Sequence, residues 1–422
     1  SDEPLHRMNA YYNGTIGNLN IDLNADYYAA NSYSASSAIE ISQEFNDRNI
    51  DSENKVDNRL FASKLVLSHT LAGGQLSAGS EYTNTNRKDK YMNVQNIVPS
   101  SNTAIQEQNI AFFAEYSRPI SIGQFGIGLR YENINSEYFE NEVLNKEQSR
   151  RYSQWFPNIS FGTKIKNVGL QLSYTAKTKR PSYRQLSSNV FYGNRFLLQT
   201  GNPFLKPATI HDVTLVGSWR FVQLMMSCKD ERNAVIYWTE QDQNNPAISV
   251  LAYRNLEKMP NFTLFASLSP TVGIWSPQLS AGFIKQWVTI MSSDKPVKLN
   301  KPLAIVSLNN SLRLSKGYIF TLDAQYMGEG DSQNVHLIKN NVVINAAISK
   351  SFFNDRLSLS LKGHDLFWQD KEGNLLYNAQ MELYQMNRRD SRELELTVRY
   401  RFNTAKSKYK GTGAGESEIN RL

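Results

Sequence analysis

A chain of 422 residues can hold two or three soluble domains or one large barrel, and 11% aromatic against 20% charged residues suits either. A mean hydropathy of -0.49 and the lack of any run of about 18 apolar residues exclude a helical membrane span, but not a barrel, whose strands are half polar. The net charge of +7 is spread over strands, loops and tail and forms no basic stripe, which argues against nucleic acid as a partner. Cys228 is alone, so no internal disulfide can form.

Ser1-Asp-Glu-Pro-Leu5 shows none of the three regions of an export signal, so the expectation is either a mature start or a fragment. From Leu5 the expected unit is strand, tight turn, strand, polar loop. Residues 6–16 turn at Gly17-Asn18 into 19–30, and a polar loop is expected over about 32–58. Residues 60–71 turn at Ala72-Gly73-Gly74-Gln75 into 76–85, followed by a loop over 86–106. Residues 110–120 then turn at Ser121-Ile122-Gly123, after which Phe125, Ile127, Leu129 and Tyr131 alternate with Gly126, Gly128 and Arg130. Residues 152–165 turn at Lys166-Asn167 into Leu170, Leu172, Tyr174 and Ala176, which alternate with polar neighbours.

The second half keeps the same rhythm. The expected pairs are 210–216 with 221–228 (running on towards Trp238), 262–268 with 279–290, 303–314 with 319–327, and 342–351 with a strand at Leu357, Leu359 and Leu361. A last long strand is expected over about 378–402. Its end is the cleanest alternation in the chain: Leu394, Leu396, Val398, Tyr400 and Phe402 on one face, Glu395, Thr397, Arg399 and Arg401 on the other. Turned onto lipid, those charges would cost up to ~2–4 kcal/mol each near mid-bilayer, so in a membrane the polar side must line a wet interior.

The count is roughly 17 strands at about 25 residues apiece, against the 8–12-residue turn spacing of a sandwich. The expected fold is therefore all-β, a transmembrane antiparallel β-barrel. Bacterial single-chain barrels have an even number of strands, so at least one strand is expected to be missing at the amino terminus, which favours the fragment. Aromatic pairs at proposed strand ends, such as Tyr27-Tyr28, Phe112-Phe113, Trp155-Phe156 and Phe367-Trp368, fit the girdles at the two membrane–water boundaries.

Between Arg180 and Pro207 the pattern breaks. Pro181, Pro203 and Pro207 refuse interior ladder positions and Gly201-Asn202 suits a turn, so an ordered, non-strand excursion of about 25 residues is expected, a length commonly functional. Arg180-Pro181-Ser182 followed by Gly201-Asn202-Pro203-Phe204-Leu205-Lys206-Pro207 resembles the Arg-Pro-Ser…Gly-Asn-Pro-x-Leu-Lys-Pro signature of TonB-dependent outer-membrane receptors. That signature usually continues with Glu where this chain has Ala208. Gly363-His364-Asp365-Leu366-Phe367 is similar to the Asp-x-Phe segment of the family's penultimate strand. The close of the chain's last strand, with Tyr400 and Phe402, is similar to the aromatic-x-Phe signal read by the barrel assembly machinery. Lys408-Tyr409-Lys410-Gly411-Thr412-Gly413-Ala414-Gly415 looks like the short periplasmic tail of one receptor branch, and Lys406 belongs with it.

The resemblance covers the chain from about Val168 onward. It implies residues 1–402 as roughly 17 strands of a 22-stranded barrel, residues 403–422 as a periplasmic tail, and a plug with its energy-coupling segment upstream and absent. It implies uptake of a ligand too large or scarce for porins: an iron chelate, haem, a vitamin, a peptide or a glycan. The implied partners are outer-membrane lipid, the TonB complex acting through the missing plug, the barrel assembly machinery and a surface lipoprotein.

Tyr183, Arg184, Phe191, Tyr192, Arg195, Tyr253 and Arg254 offer stacking and hydrogen-bonding groups on loops, where binding mouths lie. Carboxylates crowd two loops, with Glu40, Glu44, Asp47, Asp51 and Glu53 in one and Glu137, Glu140 and Glu142 in another. Solvation of exposed loops explains them more simply than attraction of a cationic ligand. His6, His69, His211, His336 and His364 are scattered, with no ligand spacing, so neither metal nor cofactor is expected. Gly411-Thr412-Gly413-Ala414-Gly415 mimics a phosphate loop without its strand-to-helix setting. His364-Asp365 reads as a strand-end hydrogen bond, and Ser68 and His69 face opposite ways, so no enzyme is expected. Two other classes stay open: a passive porin or adhesin barrel, separated by the upstream sequence, and a soluble all-β carbohydrate-binding protein, separated by detergent dependence.

Overall fold

The computed structural model describes residues 5–242, 244–402 and 413–422. Alternation with a period of two makes the wall. Eight strands run in an unbroken meander: β1 (Leu5–Ile16), β2 (Leu19–Glu40), β3 (Arg48–Leu71), β4 (Gly74–Asn93), β5 (Ser101–Ile120), β6 (Gly123–Glu140), β7 (Val143–Ile165) and β8 (Val168–Lys179). The chain leaves the wall for a one-turn helix, α1 (Tyr183–Leu186), and a small hairpin, β9 (Val190–Asn194) with β10 (Leu197–Thr200). It returns as β11 (Ala208–Trp219), β12 (Val222–Gln241), β13 (Ser249–Leu268) and β14 (Trp275–Gln286). A hairpin of β15 (Val288–Ser292) and β16 (Lys295–Leu299) precedes wall strands β17 (Leu303–Arg313) and β18 (Tyr318–Met327). Short β19 (Gly330–Ser332) and β20 (Val335–Leu337) lead to wall strands β21 (Asn341–Phe352) and β22 (Leu357–His364). Then follow β23 (Lys371–Tyr377), β24 (Glu382–Arg388), the final wall strand β25 (Glu393–Tyr400) and the one-turn helix α2 (Glu416–Ile419).

Seventeen of these strands pair antiparallel in succession, from β1 through to β25, in one sheet to which β9 and β10 attach through the parallel pairing of β10 with β13. Among the described residues β1 pairs only with β2 and β25 only with β22, so those two strands are the edges. The turns after β1, β3, β5, β7, β11, β13, β17 and β21 lie at one end, while the two-residue turn Asn141-Glu142 between β6 and β7 lies at the opposite end. The long connections also lie at that opposite end, where β19, β20, β23 and β24 form a separate four-stranded sheet.

The two faces differ as a bilayer requires. Direct cross-strand partners share a face. Ile348, Leu361 and Leu396 form one such row across β21, β22 and β25, and all three are exposed. Ile159, Tyr174, Val213, Cys228 and Phe262 form another across β7, β8, β11, β12 and β13. The opposite face carries Asn24, Asp26, Thr85, Arg87, Glu107 and Glu132, all buried. That distribution is inverted relative to a soluble sandwich, where apolar side chains fill the space between sheets. Leu394 at 74% and Leu396 at 68% exposure have no second sheet over them.

Four expectations need correction. The loops placed at 32–58 and 86–106 are mostly strand: β2 continues to Glu40, β3 begins at Arg48, β4 ends at Asn93 and β5 begins at Ser101. Outward positions there meet water and the buried inward ones, such as Ser52, Asn58, Arg87, Asp89 and Asn93, are polar as well, so the apolar–polar alternation that marks a strand is lost. For the same reason the Phe112–Tyr131–Trp155 row lies well inside β5, β6 and β7 and not at their ends, whereas Phe352 and Tyr400 do end β21 and β25. The strand expected over 378–402 is two elements, because β24 pairs with β23 in the separate sheet and only β25 joins the wall. The 180–207 excursion contains strand after all, in β9 and β10, both placed clear of its prolines.

The tail expected over 403–422 is divided. Lys406, Lys408, Lys410 and the rest of 403–412 lie outside the described residues. Residues 413–422 lie against the inward face of the wall: the N–H groups of Ala414 and Gly415 donate to Asp26 Oδ2, at 2.5 and 2.8 Å.

Candidate binding site at the mouth of the barrel

The 180–207 excursion is held by its own motif residues. Ser182 caps α1 reciprocally: its Oγ accepts from the Gln185 N–H at 3.2 Å and its own N–H donates to Gln185 Oε1 at 2.9 Å. A side chain at Gly201 would come within 3 Å of the carbonyl oxygens of Arg184, Gln185 and Ser187, so only glycine lets β10 approach α1. Asn202 donates from Nδ2 to the Tyr253 carbonyl at 2.9 Å, while its Oδ1 accepts from the Phe204 N–H at 2.9 Å. Lys206 exchanges both backbone hydrogen bonds with the Asn255 side chain, at 2.8 and 2.9 Å. The Pro203 carbonyl accepts from Arg150 at 2.7 Å, and Leu205 is buried. Ala208, where the signature usually carries Glu, is also buried, at 2% exposure. Pro207 ends the excursion where β11 begins. These residues act as a weld between the excursion and β13.

The weld has two sides. Towards the long-loop end, Arg184, Phe191 and Gly201 meet Tyr237 and Tyr253 around a cavity of about 520 Å³ that Leu376 and Gln385 of the separate sheet close from above. The Tyr237 and Tyr253 rings lie 4.9 Å apart, and Phe191 packs 5.0 Å from Tyr91. The upper sheet is fastened down through Asn334, whose Nδ2 donates to the carbonyls of Tyr237 and Tyr377 at 2.8 and 3.0 Å. Asn378 Oδ1 accepts from the Thr239 N–H at 2.9 Å.

On the inner side a second cavity of about 520 Å³ is polar, lined by Lys64, Glu81, Arg130, Glu132 and Lys179 among others. Glu81 bridges Lys64 at 2.8 Å and Arg130 at 2.5 Å, and Arg130 reaches on to Glu132 at 2.6 Å. Below α1, Arg180 pairs with Glu107 at 3.1 Å and with Glu418. Burial pushes the Tyr183 phenol up, and its hydroxyl donates to Glu107 at 3.3 Å.

The structure therefore sorts the sequence candidates. Arg184, Phe191 and Tyr253 share the outer cavity. Tyr183 is fully buried on the inner side. Tyr192 and Arg195 are occupied by Glu40, at 2.8 Å and 3.0 Å, and so pin the β9–β10 hairpin to the end of β2. Arg254 lies 5.1 Å over the Trp238 ring. The Tyr400 and Phe402 rings meet edge to face, 4.7 Å apart, at the end of the edge strand. Of the loop carboxylates, Glu40 is an ion-pair partner and Asp51 accepts from Gln95 at 2.6 Å. His364 meets Glu395 at 3.2 Å and Glu393 at 4.0 Å, an exposed cross-strand group that no spacing along the sequence reveals.

Missed in the sequence were the upper-sheet lining and the part played by Glu107. Tyr237 was legible only as a strand aromatic, since its facing Tyr253 and Leu376 are brought there by pairing.

A family model described as "Outer membrane protein beta-barrel family" matches residues 15–400. No curated protein matches. Among solved structures, the copper transporter OprC aligns with TM-score 0.65 at 12% identity, over 94% of this chain and 65% of that one. The pyoverdine outer membrane receptor FpvA of Pseudomonas aeruginosa PAO1 aligns with TM-score 0.65 at 13% identity, over 95% and 62%. The ferric-catecholate import receptor Fiu of Escherichia coli K12 aligns with TM-score 0.60 at 14% identity, over 94% and 63%. Such identities establish a shared fold, and the chain spans less than two thirds of each of these structures.

Proposed function

Because the chain belongs to the outer membrane protein beta-barrel family, we propose that it forms the wall and mouth of a TonB-dependent receptor importing a ligand too large or too scarce for porins. The observation carrying this reading is an outer cavity lined by aromatic rings and Arg184, above an inner cavity lined by charged side chains. A porin needs a passage but has no use for the outer cavity.

On this reading the short turns face the periplasm and the long connections face outward, since barrels of this type have short periplasmic turns. Ligand settles among Phe191, Tyr237 and Tyr253, whose faces stack on flat groups, while Arg184 pairs with an anionic edge. That chemistry suits a metal chelate, haem or an anionic vitamin; a glycan would stack on the rings but leave Arg184 without a counter-charge. An upstream plug, pulled by the energised inner-membrane complex, then opens the passage past Glu81 and Arg130. No group here performs covalent chemistry. Tyr400 and Phe402 serve insertion by the barrel assembly machinery.

The test is uptake of a ferric catecholate and of haem by cells with and without TonB, alongside tyrosine fluorescence quenching on the purified protein. Arg184→Ala and Tyr253→Ala should each weaken binding about tenfold, the loss of one charge-assisted or stacking contact. Entry that ignores TonB and falls off with solute size would replace the receptor reading with the porin one.

A further inference from the structure

Residues 413–422 do not trail from the sheet. β25 ends at the short-turn end, yet these residues lie within the barrel beside α1, a part of the excursion that enters from the opposite end. Asp26 gathers the N–H groups of Ala414 and Gly415, and Asn24 accepts from Gly413 at 3.4 Å. Gly415 fits because a Cβ there would already be 3.2 Å from Ala62 Cβ and Leu60 Cδ2.

The one-turn helix α2 then places Glu418 and Arg421 three residues apart, on one face. Arg421 donates to Glu107 at 2.5 Å, to Glu418 at 2.6 Å and, from Nε, to the Pro181 carbonyl at 3.1 Å. Its guanidinium sits 4.4 Å over the Tyr183 ring, and its carbonyl accepts from the Tyr183 N–H at 3.0 Å. Leu422 packs into the small apolar cluster of Ile105, Tyr138 and Tyr183, and its carbonyl accepts from Arg87 at 2.9 Å.

Two carboxylates and two guanidiniums close the cluster with no net charge. Burial alone would lower the Arg421 guanidinium, but Glu107, with Tyr183 and Glu418 behind it, holds it well above its ordinary value. A buried pair of this kind contributes little against an apolar replacement, but breaking it strands a charge. Its value here is positional.

We propose that residues 413–422 are an internal strut that grips α1 from inside the barrel and so sets where Arg184 stands in the outer cavity. Tyr183 and Arg184 are neighbours on one helical turn, the first clasped by Arg421 and the second lining the cavity. Arg421 is thus a positioning residue. The strut is independent of the uptake reading, because a passive barrel would carry the same contact.

The test has two arms, both on the whole protein in outer-membrane fractions with Cys228→Ser as background. In the first, Ala62→Cys with Gly415→Cys should form a disulfide spontaneously, since their Cβ atoms stand within a few tenths of an ångström of the range for such bonds. The link is read as peptides from the two regions staying joined after digestion. In the second, trypsin is applied and cleavage after Arg184 is followed. Deleting 413–422 should speed it about tenfold or more, by raising the open population of α1, while the folded band on a gel persists. If the deletion fails to fold, Arg421→Ala is read in its place. Arg421→Ala should release α1, and adding Glu418→Ala, which restores charge balance, should recover part of the protection. Failure of the cysteines to join, with residue 415 labelled freely by a maleimide, overturns the proposal. So does a cleavage rate after Arg184 that neither variant changes.

Discussion

Asn202 holds Tyr253 by the backbone and not by the side chain: its amide nitrogen lies 2.9 Å from the Tyr253 carbonyl oxygen. The excursion and strand β13 therefore meet in fixed register, whatever the tyrosine ring does towards a ligand. Asn202→Ala removes that donor and the acceptor for the Phe204 N–H, leaving a part-buried carbonyl unpaired at a cost of about 1–3 kcal/mol. Hydrogen exchange over 197–206 should quicken accordingly, while the wall strands, whose ladders do not involve Asn202, stay protected. Equal acceleration in β12 and β14 would show the weld to be a global element instead.

Gly201→Ala should do more damage than Asn202→Ala. Its Cβ would come within 3 Å of three carbonyl oxygens, and backbone atoms cannot swing aside as a side chain can. The expected result is separation of α1 from β10 and loss of the outer cavity, measured as faster exchange over 183–187 and loss of fluorescence quenching by any ligand found. An alanine variant indistinguishable from the parent in both readouts would mean the close approach is not maintained.

The two faces of β22 make opposite predictions for one substitution. Leu361 lies on the exposed apolar row between Ile348 and Leu396, whereas Ser360 pairs with Ser349 and Thr397 on the inward face. Leu361→Arg should cost ~2–4 kcal/mol near mid-bilayer and Ser360→Arg close to nothing. The fraction of folded protein in outer-membrane extracts distinguishes them. Equal tolerance would contradict the assignment of faces.

Asp365 gives a pH dependence with a defined sign. Burial would raise its pKa, but hydrogen bonds from Ser391 Oγ at 2.6 Å and from the N–H groups of Gln369 and Asp370, with Lys371 nearby, hold it below its ordinary value of 3.8. A depressed folded-state pKa means the stabilisation of the connection after β22 is complete above that ordinary value and is lost as pH falls through the depressed one. Exchange of the Gln369 and Asp370 amides, corrected for intrinsic rates, should stay slow at mild acidity and rise below about pH 3.8. Asp365→Asn should remove the dependence. A profile that rises nearer neutrality would assign the effect to another group.

Much of this protein was decided residue by residue along the chain. Leu394, Leu396 and Val398 had to look one way and Glu395, Thr397 and Arg399 the other, because lipid and water each make their demand on a single side chain and a strand offers the two in turn. The wall, its turns at Gly17-Asn18 or Lys166-Asn167, and the break at Pro181 follow from that local logic. Strand ends do not: beyond the bilayer the outward residues of β2 and β3 meet water and buried inward ones, such as Ser52 and Asn58, are polar too, so the periodic signal vanishes although the ladder continues. The outer cavity and the inner cluster are further still from local logic. Arg180 and Glu418 are 238 residues apart, and Asn334 and Tyr237 97 apart, with nothing in their neighbourhoods to announce the partner. Only the pairing of whole strands brings such groups together, so the tertiary structure alone determined where charge meets charge and which aromatic rings enclose a space.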